Sequence, residues 1–156
     1  MTHTHSVAPV EAPDVEAAVA ALRARGLRVS AARRLVLEAF YLTEEPLTAE
    51  EVAGGLGGRI PRSDLASVYR NLEVLEELGL LRHFHLGHGP GIYARAGADA
   101  REYLVCESCH SAQAVEPKAL DRARSAIKRQ TGWQASFSHF PVAGLCPSCA
   151  AKEGKA

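Results

Sequence analysis

The chain has 156 residues, of which 47% are hydrophobic, and its 18 basic side chains balance 18 acidic ones. This length and composition allow one core or two small ones, and they exclude a low-complexity or strongly charged chain. No apolar run approaches the roughly 18 residues of a membrane span, and the first residues lack the apolar stretch of a signal peptide. We therefore expect a folded cytoplasmic protein with no membrane partner.

The first half of the chain is predicted to be helical. Residues 1–13 are polar with two prolines and are predicted to form a disordered leader. Four side chains of types that cap helices precede amphipathic segments: Asp14, Ser30, Thr48 (in a capping box with Glu51) and Ser63. The last helix, ending at Gly79, is the clearest. Its predicted apolar stripe consists of Leu65, Val68, Leu72, Leu75 and Leu78.

A β-hairpin is predicted directly after these helices. Residues 80–86 and 91–95 have the pattern of short strands on either side of the glycine-rich turn GHGPG. Helices followed by a hairpin are typical of a winged helix-turn-helix, in which the last helix enters the major groove of DNA. We therefore predict a winged-helix DNA-binding domain over residues 14–95. The basic run ALRARGLRVSAARRL is a candidate nucleic-acid surface within it, and a solvated helix face is the alternative interpretation of that run.

A smaller domain of mixed helix and strand is predicted over residues 101–150, after a hinge at residues 96–100. Its expected strands are EYLVC, SAQAVE and WQASFSHF. Its expected helix runs from Pro117 to about Gln130, with Leu120, Ala123 and Ile127 facing inward. The predicted fold class is therefore α+β, a winged helix followed by a small α/β domain.

All four cysteines occur in two C-x-x-C pairs, namely Cys106 with Cys109 and Cys146 with Cys149. Each pair directs two sulfurs to one point, and four thiolates form the tetrahedral set that structural zinc favours. Such a site leaves no position for water, and no hydrolase or phosphate-binding motif is present, so we do not expect an enzyme. A redox role for the two pairs is the alternative.

The motifs GLRVSAAR and ASVYRNL, together with the two C-x-x-C pairs, resemble those of the ferric uptake regulator family of metal-responsive repressors. The resemblance covers about residues 14–150. It implies a homodimer that binds double-stranded operator DNA, a C-terminal dimerisation domain with structural zinc, and a second, regulatory metal between the two domains. The residues that it places at DNA are Arg28 (minor groove), Tyr69 and Arg70 (base and phosphate), with Arg33 and Ser67 beside them.

One part of the family pattern is missing. Members usually carry a histidine cluster just before the first C-x-x-C pair, whereas ADAREYLVC holds no histidine in those places. The strand LLRHFHL instead puts His83 and His85 on one face. By resemblance to nickel-responsive members, His139 is the expected third ligand. Further candidate ligands are His88, in the turn, and the carboxylates Glu102 and Asp121.

The leading hypothesis is a dimeric repressor that binds operator DNA more tightly when a regulatory metal occupies the hinge. Imidazole suits nickel, zinc and iron alike, so the ligands do not select among these metals. Two alternatives stay open. One is a DNA-binding regulator of the same family with structural zinc and no metal sensing, and the other is a zinc-ribbon redox or adaptor protein without a DNA role.

Overall fold

The computed structural model describes residues 7–85, 89–97, 101–137 and 140–154. These residues form two compact units. The first comprises residues 7–83 and 91–97, and the second comprises residues 84–85, 89–90, 101–137 and 140–154. In the described part of the chain, no helix has both the length and the apolar character that crossing a membrane requires.

The first unit contains four helices and a three-stranded sheet. The helices are α1 (Val15–Ala24), α2 (Ala31–Tyr41), α3 (Ala49–Ala53) and α4 (Leu65–Glu77), with a short 3-10 turn at Leu56–Gly58. The strands are β1 (Leu47–Thr48), β2 (Leu81–His85) and β3 (Gly91–Arg95), arranged in the order β1-β3-β2. Helices followed by a β2–β3 wing make the winged helix that the sequence predicts.

Side-chain caps begin the helices largely where expected. Asp14, Ser30 and Thr48 each accept a hydrogen bond from a backbone N–H in the first helical turn, and Glu51 completes the capping box of α3. The fourth cap is one residue later than predicted. Asp64, and not Ser63, caps α4, because its carboxylate accepts the N–H of Ser67 at 2.9 Å. This shortens the helix by one residue and leaves its register unchanged.

The inner face of α4 anchors the core of the first unit. Val68, Leu72 and Leu75 are buried as predicted, and Leu78 is half-buried. Leu65 departs from the predicted stripe, since it is 39% exposed in the first turn of the helix. Burial of these side chains against α2 and α3 holds the opposite face of α4 toward solvent.

Residues 7–13, assigned above to a disordered leader, make defined contacts with the first unit. The N–H of Val10 donates to the carbonyl of Gly79 at 2.9 Å, and the hydroxyl of Tyr41 donates to the carbonyl of Ala12 at 2.8 Å. A Cβ on Gly79 would stand 2.3 Å from the carbonyl oxygen of Ala8. Residues 7–13, called the strap below, lie close to the backbone of Gly79, because glycine has no Cβ and leaves room for them.

The second unit is built on a sheet with the order β5-β4-β6. Its elements are β4 (Glu102–Cys106), β5 (Ala112–Val115), a 3-10 turn (Pro117–Leu120), α5 (Asp121–Thr131), β6 (Val142–Gly144) and α6 (Pro147–Glu153). The central strand β4 pairs antiparallel with β5 and parallel with β6. The fold class is α+β, as predicted.

Two predictions for the second unit were wrong. Residues 133–137 form no strand, and Trp133 is 78% exposed; the last strand is β6, which pairs Val142 with Leu104. Of the three side chains predicted to face inward, Leu120 and Ile127 are half-buried, but Ala123 is exposed, and no side chain of α5 is fully buried. Arg124 lies on the half-buried face instead, and its guanidinium contacts Glu102 on β4.

Candidate functional site

The four cysteines come together at one end of the β4–β6 sheet. Their sulfur atoms all lie within 4.8 Å of one another, and none is in a disulfide. Cys109 and Cys146, from different pairs, have sulfurs 3.9 Å apart. Sulfurs at the corners of a tetrahedron around zinc, each about 2.3 Å from the metal, are about 3.8 Å apart. The cluster therefore has the donor set and the spacing of a closed zinc site.

The first pair is positioned by a tight turn after β4. The N–H of Cys109 donates to the Cys106 sulfur at 3.5 Å, and that of His110 donates to the Cys106 carbonyl at 2.9 Å. His110 has a φ of 61°, a left-handed conformation that closes the turn. The hydroxyl of Ser111, which the sequence analysis did not single out, lies 3.1 Å from the Cys109 sulfur.

The second pair is positioned by the start of α6. Cys146 is the N-cap of this helix, its sulfur accepting the N–H of Cys149 at 3.5 Å, and Pro147 occupies the first turn. The N–H of Cys146 also donates to the Cys106 sulfur at 3.3 Å. Strand β6 runs parallel to β4, with Gly144 opposite Cys106. Cys146, two residues after Gly144, therefore lies next to the first pair.

These contacts shift the pKa values of the thiols in different directions. Backbone N–H groups of Cys109 and Cys146 lower the pKa of Cys106 to about 6. The Ser111 hydroxyl lowers the pKa of Cys109, whereas the adjacent Cys146 sulfur raises the pKa of Cys149 to about 11. A cation at the centre of the cluster would favour the thiolate form of all four, because zinc binds deprotonated sulfur.

The outer face of α4 and the segment before α2, which holds Arg28, present residues predicted to contact DNA. Tyr69 is 40% exposed, Arg70 and Arg28 are exposed, and Ser67 is half-buried. The Tyr69 hydroxyl donates to the carboxylate of Glu50 on α3 at 3.1 Å. Partial burial and this contact raise the pKa of Tyr69, which therefore keeps its proton at neutral pH. The contact orients a ring that projects from the helix surface.

Arg33, also predicted to lie at DNA, has partners within the first unit. Its Nε donates to Asn71 Oδ1 at 3.1 Å and its Nη1 donates to the carbonyl of Arg28 at 2.7 Å. Asn71 is buried in α4 and donates in turn to the carbonyl of Ser67 at 2.9 Å. Arg33 thus joins the segment that carries Arg28 to the helix that carries Tyr69 and Arg70. The sequence offered no local sign of this network, whose members are far apart in the chain.

The two histidines of β2, His83 and His85, lie on one face of the strand. Both are half-buried, while Phe84, on the opposite face, is buried. The Nδ1 of His83 contacts the carboxylate of Glu76 on α4, and its ring lies 5.9 Å from that of Tyr93. His139 and His88, predicted as further ligands, lie outside the described residues.

The two carboxylates considered as additional metal ligands share an arginine. Arg124 contacts Glu102 through Nη2 and Asp121 through Nη1, the latter at 2.8 Å. Glu102 is buried and Asp121 exposed, so the guanidinium neutralises the one carboxylate that burial would penalise. Among the described residues, the four cysteines are the one group of three or more donors close enough to hold a metal ion.

A winged helix with an exposed recognition face, joined to a unit that carries a four-thiol cluster, defines the class of metal-containing transcription regulators. The chain belongs to the Ferric uptake regulator family, whose family model matches residues 24–140. Members are transcription regulators, so the chain is not an enzyme. The match includes Cys106 and Cys109 and ends before Cys146 and Cys149, which the structure brings to them.

Individual relatives differ in what their names describe. The peroxide operon regulator of Bacillus subtilis (strain 168) is 26% identical over 142 residues, which are 91% of this chain and 97% of the relative. The structure of the Helicobacter pylori ferric uptake regulator, described as having three functional metal-binding sites, matches with a TM-score of 0.66 at 19% identity, over 88% of this chain and 94% of that one. A zinc uptake regulator complexed with zinc and DNA matches with a TM-score of 0.54 at 18% identity, over 90% and 95%.

These relatives are named for peroxide, iron and zinc. The structural likenesses support the fold, and the names leave the metal of this chain open. The similarity of its histidines to those of nickel-responsive members therefore stays a prediction.

Proposed function

We propose that this protein is a metal-responsive transcriptional repressor that binds double-stranded operator DNA as a homodimer. The observation that carries the proposal is the placement of a His-x-His strand, β2, directly after α4, the helix whose exposed face holds Tyr69 and Arg70. A metal held by that strand acts on the element next to the recognition helix. The zinc uptake regulator solved with DNA supports a DNA-binding role for this fold.

The two metals have different tasks in this proposal. Zinc bound by the four cysteines stabilises the second unit, whose helix α5 buries no side chain and whose core is small. A second transition metal, nickel, zinc or iron, is held by His83, His85 and His139. Glu102 and Asp121 are left out of this second site, because both already contact the guanidinium of Arg124.

DNA contacts follow from the exposed surface of the first unit. Arg70 and Arg28 supply phosphate and groove contacts, and the Tyr69 ring, with Ser67 beside it, reads base edges. Arg33 holds the Arg28 segment in place through its bonds to Asn71 and to the Arg28 carbonyl. Metal raises DNA affinity by binding the DNA-competent arrangement more tightly than the alternatives, which is a shift in population.

The test uses a duplex selected from a random library by the metal-loaded protein. Its affinity is measured by fluorescence anisotropy with and without nickel, zinc or anaerobic ferrous iron. A double variant, His83→Ala with His85→Ala, is expected to keep one zinc per chain and the weak metal-free binding, and to lose the increase that metal produces. His139→Ala is expected to behave in the same way. The double variant His3→Ala with His5→Ala removes the same number of imidazoles and serves as the control.

A double variant of His83 and His85 that still responds to metal would overturn the assignment of the site. Wild-type protein that binds the selected duplex equally with and without added metal would instead favour the alternative of a regulator with structural zinc alone.

A further inference from the structure

Glu76 and His83 connect the last turn of α4 to the strand β2. Helix α4 ends at Glu77, β2 begins at Leu81, and the Glu76 carboxylate contacts His83 Nδ1 across the intervening turn. Both side chains are about one-third exposed, at 33% and 28%. Glu77, the next residue of the helix, is exposed, and the structure shows no bond of its carboxylate to His83 among the described contacts.

The contact has a chemical consequence for the imidazole ring. A carboxylate is acceptor-only when ionised, so a neutral His83 must carry its proton on Nδ1 to donate to Glu76. That tautomer puts the lone pair on Nε2, the nitrogen that a metal would then use. Histidines that ligate metals commonly donate their other ring N–H to a carboxylate, and loss of that partner weakens metal binding by about 10–100-fold.

We infer that Glu76 is a positioning residue that holds His83 in the Nδ1–H tautomer and presents Nε2 as the ligand of the regulatory metal. The inference rests on the proposed function, since that proposal makes His83 a ligand. The Tyr93 ring, 5.9 Å from the imidazole and tilted by 43°, limits the rotation of the His83 ring from the neighbouring strand β3.

Glu76 also links the metal to the recognition helix. It lies on α4, two turns after Tyr69 and Arg70. A metal ion on Nε2 draws electron density from the ring, which makes Nδ1–H a stronger donor to the carboxylate. Metal binding therefore strengthens a bond to the helix that carries the DNA contacts.

The first measurement is the tautomer of His83 in full-length protein with its structural zinc in place. Long-range ¹⁵N–¹H spectra of histidine-labelled protein near pH 8 are compared for wild type, Glu76→Ala and Glu77→Ala, two variants that remove one carboxylate from adjacent helix positions. Wild type and Glu77→Ala are expected to show the Nδ1–H form, and Glu76→Ala a shift toward the Nε2–H form. An unchanged His83 tautomer in Glu76→Ala would overturn the inference, independently of any result on metal binding.

The second measurement is the affinity for cobalt(II), followed by its visible absorption bands, with His83→Ala identifying the bands that depend on this site. Glu76→Ala is expected to weaken that binding by about 10–100-fold, Glu77→Ala to leave it unchanged, and Glu76→Gln, which keeps a weaker acceptor, to fall between them. Equal affinity in Glu76→Ala and wild type would overturn the inference and leave the proposed function standing. Cobalt bands that are identical in His83→Ala and wild type would overturn the site itself.

Discussion

Arg33 Nε donates a 3.1 Å hydrogen bond to Oδ1 of the buried Asn71, so that α2 and α4 are joined by a polar contact inside their interface. The same guanidinium holds the carbonyl of Arg28. Arg33 is therefore placed to determine how the Arg28 segment and the recognition helix stand relative to each other.

Replacement of Arg33 should destabilise the first unit. Arg33→Ala leaves the buried Asn71 oxygen without its donor, and an unsatisfied buried acceptor costs about 1–3 kcal/mol. Denaturant unfolding gives the change in free energy. Arg34→Ala is the control, since its ion pairs with Glu16 and Glu38 are about 40% or more exposed and should contribute little to stability. Equal losses in both variants would contradict an internal role for Arg33.

Removal of Arg70 and of Tyr69 should affect DNA binding differently. Arg70→Ala should weaken binding to operator and random duplex alike and reduce the log-log salt slope by about 1, because it removes one phosphate contact. Tyr69→Ala should cost about 1–3 kcal/mol on the operator and little on random duplex. Arg129→Ala removes an exposed charge from α5 of the second unit and controls for net charge. Unchanged affinity in both α4 variants would remove this helix from the interface.

The sequence predicted what local chemistry determines. Caps such as Ser30 and the capping box of Thr48 act within one helical turn, and the two C-x-x-C motifs identify the four sulfur donors directly. Prediction from the sequence failed where the structure depends on a residue that is distant in the chain. Strand β6 is only three residues long and is paired in parallel with β4, and the half-buried face of α5 includes Arg124, whose partner Glu102 lies on β4. Glu76 and Arg33 were missed as partners for the same reason.

Replacement of Cys106 by serine should remove the zinc and destabilise the second unit. Its sulfur accepts the N–H groups of both Cys109 and Cys146, and a structural zinc contributes folding free energy directly. Metal content and thermal melting are the measurements. Ser108→Ala, in the same turn, should keep both. A Cys106→Ser protein with an unchanged melting curve and no bound zinc would show that the cluster is not structural.

The cysteines of metal-free protein should react with iodoacetamide in a definite order at pH 7. The pKa of Cys109 is lowered and its side chain is exposed, so it is expected to be alkylated early. Cys149 is buried with a pKa raised to about 11, so at pH 7 it stays protonated and should react late, and faster only as the pH rises. Peptide mass spectrometry gives the order, and added zinc should protect all four. Uniform alkylation would show that the cluster is not preformed without metal.

Gly79→Ala should destabilise the protein more than Gly132→Ala. Both glycines have a φ of 78°, so an alanine at either position carries the left-handed backbone cost of about 1–2 kcal/mol. At Gly132 a Cβ meets nothing within 4 Å, whereas at Gly79 it would stand 2.3 Å from the Ala8 carbonyl oxygen and displace the strap. The difference in unfolding free energy between the two variants isolates that contact. Equal losses would mean that the strap adds nothing to stability.

The parallel pairing of β4 with β6 has a consequence for the rate at which the second unit forms. Antiparallel β5 follows β4 closely, but Val142 must find Leu104 across a long loop that contains α5. Closing such a loop costs entropy before any contact is gained, so non-local parallel pairing forms slowly. A metal ion bound first by Cys106 and Cys109 can then bind Cys146 and Cys149, which brings β6 to β4. Refolding of this unit should therefore become faster as the free zinc concentration rises.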